Sequence, residues 1–78
     1  MNFSERLRLL RKRKRLTQLQ LAEKLGFGYD TITKYERGIV DPRMFHLCCM
    51  ADFFEVTTDY LIGRSDEPIN KLEVPKCL

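Results

Sequence analysis

No stretch of this chain approaches the ~18 consecutive apolar residues of a membrane span, which argues against a helical membrane protein. A secretory leader is not expected either, because the first apolar stretch is interrupted by arginines. Cysteine is sparse and poorly placed for a disulfide scaffold: Cys48, Cys49 and Cys77 are odd in number, and two are adjacent in an apolar run. These absences point to a reducing, cytoplasmic setting. Histidine occurs once, at His46. No Ser or Cys stands beside it with an orienting acid, so catalysis has no supporting constellation. His46 and Cys49 are three residues apart, as two metal ligands on one helix would be. A structural zinc site normally needs four ligands, and only Cys48 or Cys77 remain. The cysteines therefore read as small buried or half-buried hydrophobes, with no metal and no cofactor expected. Internal repeats and low-complexity segments are also missing.

What remains is a chain equipped to fold. Its 78 residues allow one domain at most, and a chain this short buries a limited core. Apolar content of 44% is ordinary for a globular protein. A separate ligand-binding domain has no room, so no small-molecule substrate is expected. The net charge of +3 hides an asymmetry. Residues 1–38 carry ten Lys/Arg against four Asp/Glu, residues 39–63 carry one against four, and the rest is neutral. The basic surface belongs to the first half, as the electrostatic footprint of a polyanionic partner would.

Helix signals recur along the chain. Asn2 and Glu5 form a capping box ahead of a first helix, whose buried stripe is Phe3, Leu7 and Leu10. The arginines and lysines between them are expected to face solvent, and Arg15 to mark the turn that follows. Thr17 and Gln20 form a second capping box, with Leu16 and Leu21 as its hydrophobic staple. Leu21, Ala22 and Leu25 make the buried face of this second helix, and Gly26 closes it in the left-handed conformation. Gly28 caps a third helix, Tyr29 to Arg37, with Ile32 and Tyr35 inward and Gly38 at its end. Asp41-Pro42 predicts the start of a fourth helix: a capping carboxylate, then proline at the first helical position. Met44, Leu47, Cys48 and Ala51 are its expected stripe. Thr57 caps a fifth helix, Leu61 staples against Val56, and Gly63 ends it. Pro68 and Pro75 predict an irregular tail.

Four blocks carry a resemblance: LTQLQLAEKLG at 16–26, TITKYERG at 31–38, Asp41-Pro42, and ADFFEVTTDYLIG at 51–63. In this order and spacing, residues 3–63 resemble the Cro and lambda-repressor-like helix-turn-helix family, also called the XRE family. The resemblance implies an all-α, compact five-helix bundle at residues 1–63, with residues 64–78 as a C-terminal tail. It implies a sequence-specific transcriptional repressor of the phage or mobile-element type, which binds double-stranded DNA. Many members of this size act as dimers on paired half-sites.

Site residues follow from the same match. The glutamine at the first turn of the second helix commonly contacts the DNA backbone in the family, and that role carries over to Gln18. Backbone amides at such a helix start also point toward a phosphate. Tyr29, Asp30, Thr33 and Lys34 match the positions that touch base edges. Lys34 can donate to guanine O6 and N7, Thr33 can meet a thymine methyl, and Asp30 can accept from cytosine N4. Thr31 and Arg37 are placed for phosphates. Gly28-Tyr29-Asp30 departs from the family's usual Ser followed by Arg, Gln or similar residues. Tyr29 is bulky enough to stack on Gln18 or on the sugar backbone instead of reading a base. The run RKRKR at 11–15 has two readings, a solvated face or a set of phosphate contacts.

The other polar and aromatic residues have plainer roles. Glu36 is placed to pair with a first-helix arginine. Tyr35, Phe54 and Tyr60 are core or core-edge aromatics. The fourth helix, MFHLCCMADFF, is apolar nearly all round and must bury two faces. Phe45, Cys49 and Phe53 form its second line, expected to pack on Ile69, Leu72 and Val74 of the tail or on a second subunit. A homodimer built on this surface, helix five and the tail is the expectation. The alternative to a DNA-binding regulator is an adaptor or antitoxin-like module on the same fold.

Overall fold

Two capping boxes start the bundle. Asn2 Oδ1 accepts from the Glu5 amide at 2.9 Å, and Glu5 Oε1 accepts from the Asn2 amide at 3.0 Å. Helix α1 runs from there, Phe3–Arg13. Thr17 and Gln20 repeat the exchange at 3.0 and 2.9 Å ahead of α2, Gln18–Leu25. Each box satisfies two amides that a helix start leaves orphaned. Arg15 takes the left-handed conformation between the two helices, at φ 57°. The computed structural model describes residues 1–67. Three more helices complete it: α3, Tyr29–Arg37; α4, Met44–Phe54; and α5, Thr58–Leu61. The described residues contain no strand, so the fold is all-α, as expected.

One core joins all five helices. Leu7 and Leu10 of α1 meet Leu21 and Ala22 of α2, Ile32 and Tyr35 of α3, four residues of α4, and Tyr60 and Leu61 of α5. Fully burying one Leu or Ile side chain is worth about 1.5–3 kcal/mol, so few positions in this core are dispensable. Helix α3 packs on both α1 and α2, and that double support fixes its orientation. Gly26 closes α2 at φ 75°, a conformation that costs an L-residue about 1 kcal/mol or more. It turns the chain sharply into α3.

Several expectations need correction. Helix α4 starts at Met44, not after Asp41: Arg43 holds the extended cap position and no side chain caps the helix. The Arg43 amide instead donates to the Tyr35 hydroxyl at 3.4 Å, so a tertiary contact overrides the local capping signal. The buried stripe is Leu47, Met50, Ala51 and Phe54, while Met44 is exposed and Cys48 half-buried. Arg6 does not face solvent. It is buried, with its guanidinium 3.9 Å from the Tyr60 ring centre and 3.4 Å from Asp66 Oδ1. Gly63 does end α5 as expected: it follows the Ile62 cap at φ 87°, and the Arg64 amide donates to the Asp59 carbonyl at 2.8 Å. Cys48 is a half-buried free thiol. Ile69, Leu72, Val74, Cys77 and both tail prolines lie outside the described residues. No helix among the described residues is long and apolar enough to cross a membrane.

Candidate nucleic-acid interface

Helix α3 is divided lengthwise. Ile32, Tyr35 and Glu36 are buried, while Tyr29, Asp30, Lys34 and Arg37 are exposed. At 100° per residue, Tyr29, Asp30, Thr33, Lys34 and Arg37 fall within one arc. Thr33 is half-buried and donates its hydroxyl to the Asp30 carbonyl at 2.9 Å, which leaves its methyl as the group for an outside contact. Thr31 is half-buried at the flank of the arc. Asp30 lies in the first turn, where the helix dipole favours an acid, so it has a structural reason to be there.

A buried carboxylate ties this helix to the other two. Glu36 Oε2 accepts from Arg11 Nε at 2.6 Å and Oε1 accepts from Arg11 Nη2 at 3.0 Å, a bidentate pair between α1 and α3. Gln18 Nε2 donates to the same Oε1 at 3.1 Å, which adds the start of α2. Arg11 Nη1 also donates to the Leu16 carbonyl at 2.8 Å, and Arg8 Nη2 to the Glu36 carbonyl at 2.8 Å. The pairing of Glu36 with a first-helix arginine was expected; the parts played by Arg8 and Gln18 in it were not. Arg11 is therefore turned inward and leaves the basic run, whose other members, Lys12 to Arg15, are exposed. Gln18 keeps one amide hydrogen and its oxygen for an outside partner. The first two amides of α2, on Gln18 and Leu19, lack intrahelical acceptors and sit at the positive end of the helix.

His46 supports the turn between α2 and α3 from behind. Its ring stacks on Phe27 with centroids 3.9 Å apart, and its Nδ1 is 2.8 Å from the Tyr35 hydroxyl. Burial first, and the nearby Arg43 charge second, hold its pKa below 6.5. The Tyr35 hydroxyl and the His46 ring share this hydrogen bond, so both rings are fixed beneath the turn. Among the described residues, no cluster of three or more His, Cys, Asp or Glu side chains could hold a metal ion.

A double-supported helix, split between core and solvent and preceded by a tight turn, is helix-turn-helix geometry. The helix-turn-helix family model matches residues 7–61. The chain belongs to this family. Its relatives are transcriptional regulators, a non-enzymatic class. An uncharacterized HTH-type transcriptional regulator of Bacillus subtilis, YobD, is 38% identical over 91% of this chain and 63% of its own length. The HTH-type transcriptional activator BcrR of Enterococcus faecalis is 47% identical over 85% of this chain and 32% of its own. The cryptic phage CTXphi transcriptional repressor RstR of Vibrio cholerae is 39% identical over 82% and 57%. The chain thus spans less than two thirds of these helix-turn-helix relatives.

Proposed function

We propose that this protein is a sequence-specific, DNA-binding transcriptional regulator of the repressor type, acting in the cytoplasm as a homodimer on paired half-sites. Helix α3 reads the major groove. Lys34, Thr33 and Asp30 meet base edges, and Tyr29 reads a base or stacks at the groove rim. Gln18, Thr31 and Arg37 hold phosphates. The observation that carries this reading is the split of α3: one arc is free to touch DNA, and the other is locked by Ile32, Tyr35 and Glu36. The exposed bases at 12–15 and the amides at the start of α2 supply attraction to phosphate without sequence preference. The repressor assignment draws on the likeness to RstR, a relative named as a repressor.

Titration of random duplex DNA against salt tests the proposal. Affinity should fall along a straight line in log–log form, with a slope of about −0.9 per phosphate contact. Absence of binding even at low salt would overturn it. An adaptor or antitoxin-like module is the second reading, favoured by exposed Ile39, Val40, Met44 and Phe45. Failure to bind DNA at low salt would move the conclusion there.

A further inference from the structure

Helix α3 carries two acids with opposite surroundings. Glu36 is buried, and Arg11 and Gln18 take up its carboxylate. Asp30 is exposed on the outer arc. Only its backbone carbonyl is engaged, by the Thr33 hydroxyl. Its carboxylate takes no hydrogen bond and no ion pair among the described residues. Lys34, one turn further along the same exposed face, is likewise outside any ion pair there. Asp30 does not cap its helix either: the cap position is Gly28, which makes no side-chain bond.

A bare carboxylate works against general affinity for DNA. Phosphates repel it, while the exposed bases at 12–15 attract them. Within the major groove few groups can satisfy it, because a carboxylate only accepts. Guanine presents the acceptors N7 and O6, and thymine the acceptor O4 beside a methyl group. Both leave the carboxylate facing lone pairs. Adenine offers the N6 donor, but its N7 acceptor then lies against the second carboxylate oxygen. Cytosine alone offers a donor, N4, with no acceptor on the same base edge.

We propose that Asp30 is the specificity-determining residue of α3, and that it selects cytosine by exclusion: every site that meets it without a cytosine N4 is disfavoured. The inference rests on the reading of α3 as the major-groove helix and names the base taken at its start. Asp30 is the second residue of α3, and the N-terminal residues of a recognition helix are the ones that reach base edges. Specificity is a difference of affinities, so an unpaired charge set against the wrong partner widens it without tightening the right complex. Asp30 and Lys34 are about 6 Å apart along the helix axis, close to two base-pair steps of ~3.4 Å. The half-site therefore holds a cytosine and a guanine about two base pairs apart, on either strand, with the Thr33 methyl between them.

In vitro selection with the wild type, Asp30→Asn and Asp30→Glu tests the assignment. The wild type should enrich one fixed cytosine in each half-site. Asp30→Asn supplies the amide that pairs with adenine N6 and N7, so it should exchange that cytosine for adenine by about tenfold or more and leave the other positions as they were. Without the charge it should also bind random duplex more tightly than the wild type at low salt. Asp30→Glu keeps the carboxylate and should keep the cytosine. The exchanged position should lie within about two base pairs of the one that Lys34→Ala relaxes. Thermal melts by circular dichroism establish that each variant folds. An Asp30→Asn variant that melts lower yet selects the wild-type site overturns the assignment and leaves Asp30 a helix-start charge. A variant that loses affinity equally for every sequence overturns it too. In both cases the wild type still selects a site, so the reading of α3 stands. A wild type that retains no duplex overturns that reading, and the assignment with it.

Discussion

Glu36 never touches the proposed groove, yet α3 depends on it. The carboxylate is 2% exposed and takes hydrogen bonds from Arg11 and Gln18, on two other helices. Breaking a buried pair by removing one partner typically costs about 3–5 kcal/mol, because the remaining charge is left without compensation. Glu36→Ala should therefore lose about 3 kcal/mol or more in urea unfolding, against a total of about 5–15 kcal/mol for a typical domain. His46 gives a pH prediction. Its pKa is lowered in the folded state, chiefly by burial, so the unfolded chain takes up the proton first. Stability is then full above pH 6.5 and falls as pH drops below it, until the folded imidazole also titrates. Melts between pH 7.5 and about pH 5.5 should show this slope, and His46→Gln should flatten it. Roles at this scale were only partly legible. In a run of five bases, residues 11–15, periodicity does not say which one turns inward, and only the position of Glu36 decides for Arg11. Arg6 was hidden for a similar reason: its partner Tyr60 is 54 residues away in sequence.

The elements were legible wherever the signal was local. Both capping boxes, the left-handed Gly26 and the Thr57 cap are settled within four residues of chain. Thr17→Ala should cost about 1 kcal/mol, read from chemical denaturation. Two glycines should answer differently to alanine. Nothing lies within 4 Å of a Cβ built on Gly26, so Gly26→Ala meets only the left-handed penalty of about 1 kcal/mol. A Cβ on Gly63 would lie 2.0 Å from the Met1 carbonyl oxygen. Relief means moving the residue before the Asn2 cap, so Gly63→Ala should lower the melting temperature clearly more than Gly26→Ala. Helix α4 was misplaced for two physical reasons. A segment apolar nearly all round leaves periodicity unable to choose a face, so Leu47 and Ala51 were placed in the stripe, Phe54 was expected only as a core aromatic, and Met50 was not identified. Its start is set by the reach of the Arg43 amide to Tyr35, a contact no local pattern announces.

At the scale of the whole molecule, charge and apolarity divide the labour. The exposed bases of residues 12–15, with Lys34 and Arg37, lie in the half that carries the helix-turn-helix unit. The exposed apolar segment begins where α3 ends. One element thereby borders two surfaces of opposite character, one basic and one apolar. Family membership was legible because four motif blocks occur in order along the chain. The proposed base-reading face is less so, since Tyr29 and Asp30 serve the helix start as well as they would serve a groove. The central claim is that α3 reads base pairs, and in vitro selection of bound duplexes from a random pool tests it most directly. The wild type should enrich a two-fold-symmetric site with half-sites about one DNA turn apart. Lys34→Ala should relax preference at one position of each half-site, by about 1–3 kcal/mol, and leave the others intact. An unenriched pool, or a Lys34→Ala variant that loses affinity equally for every sequence, would contradict the account.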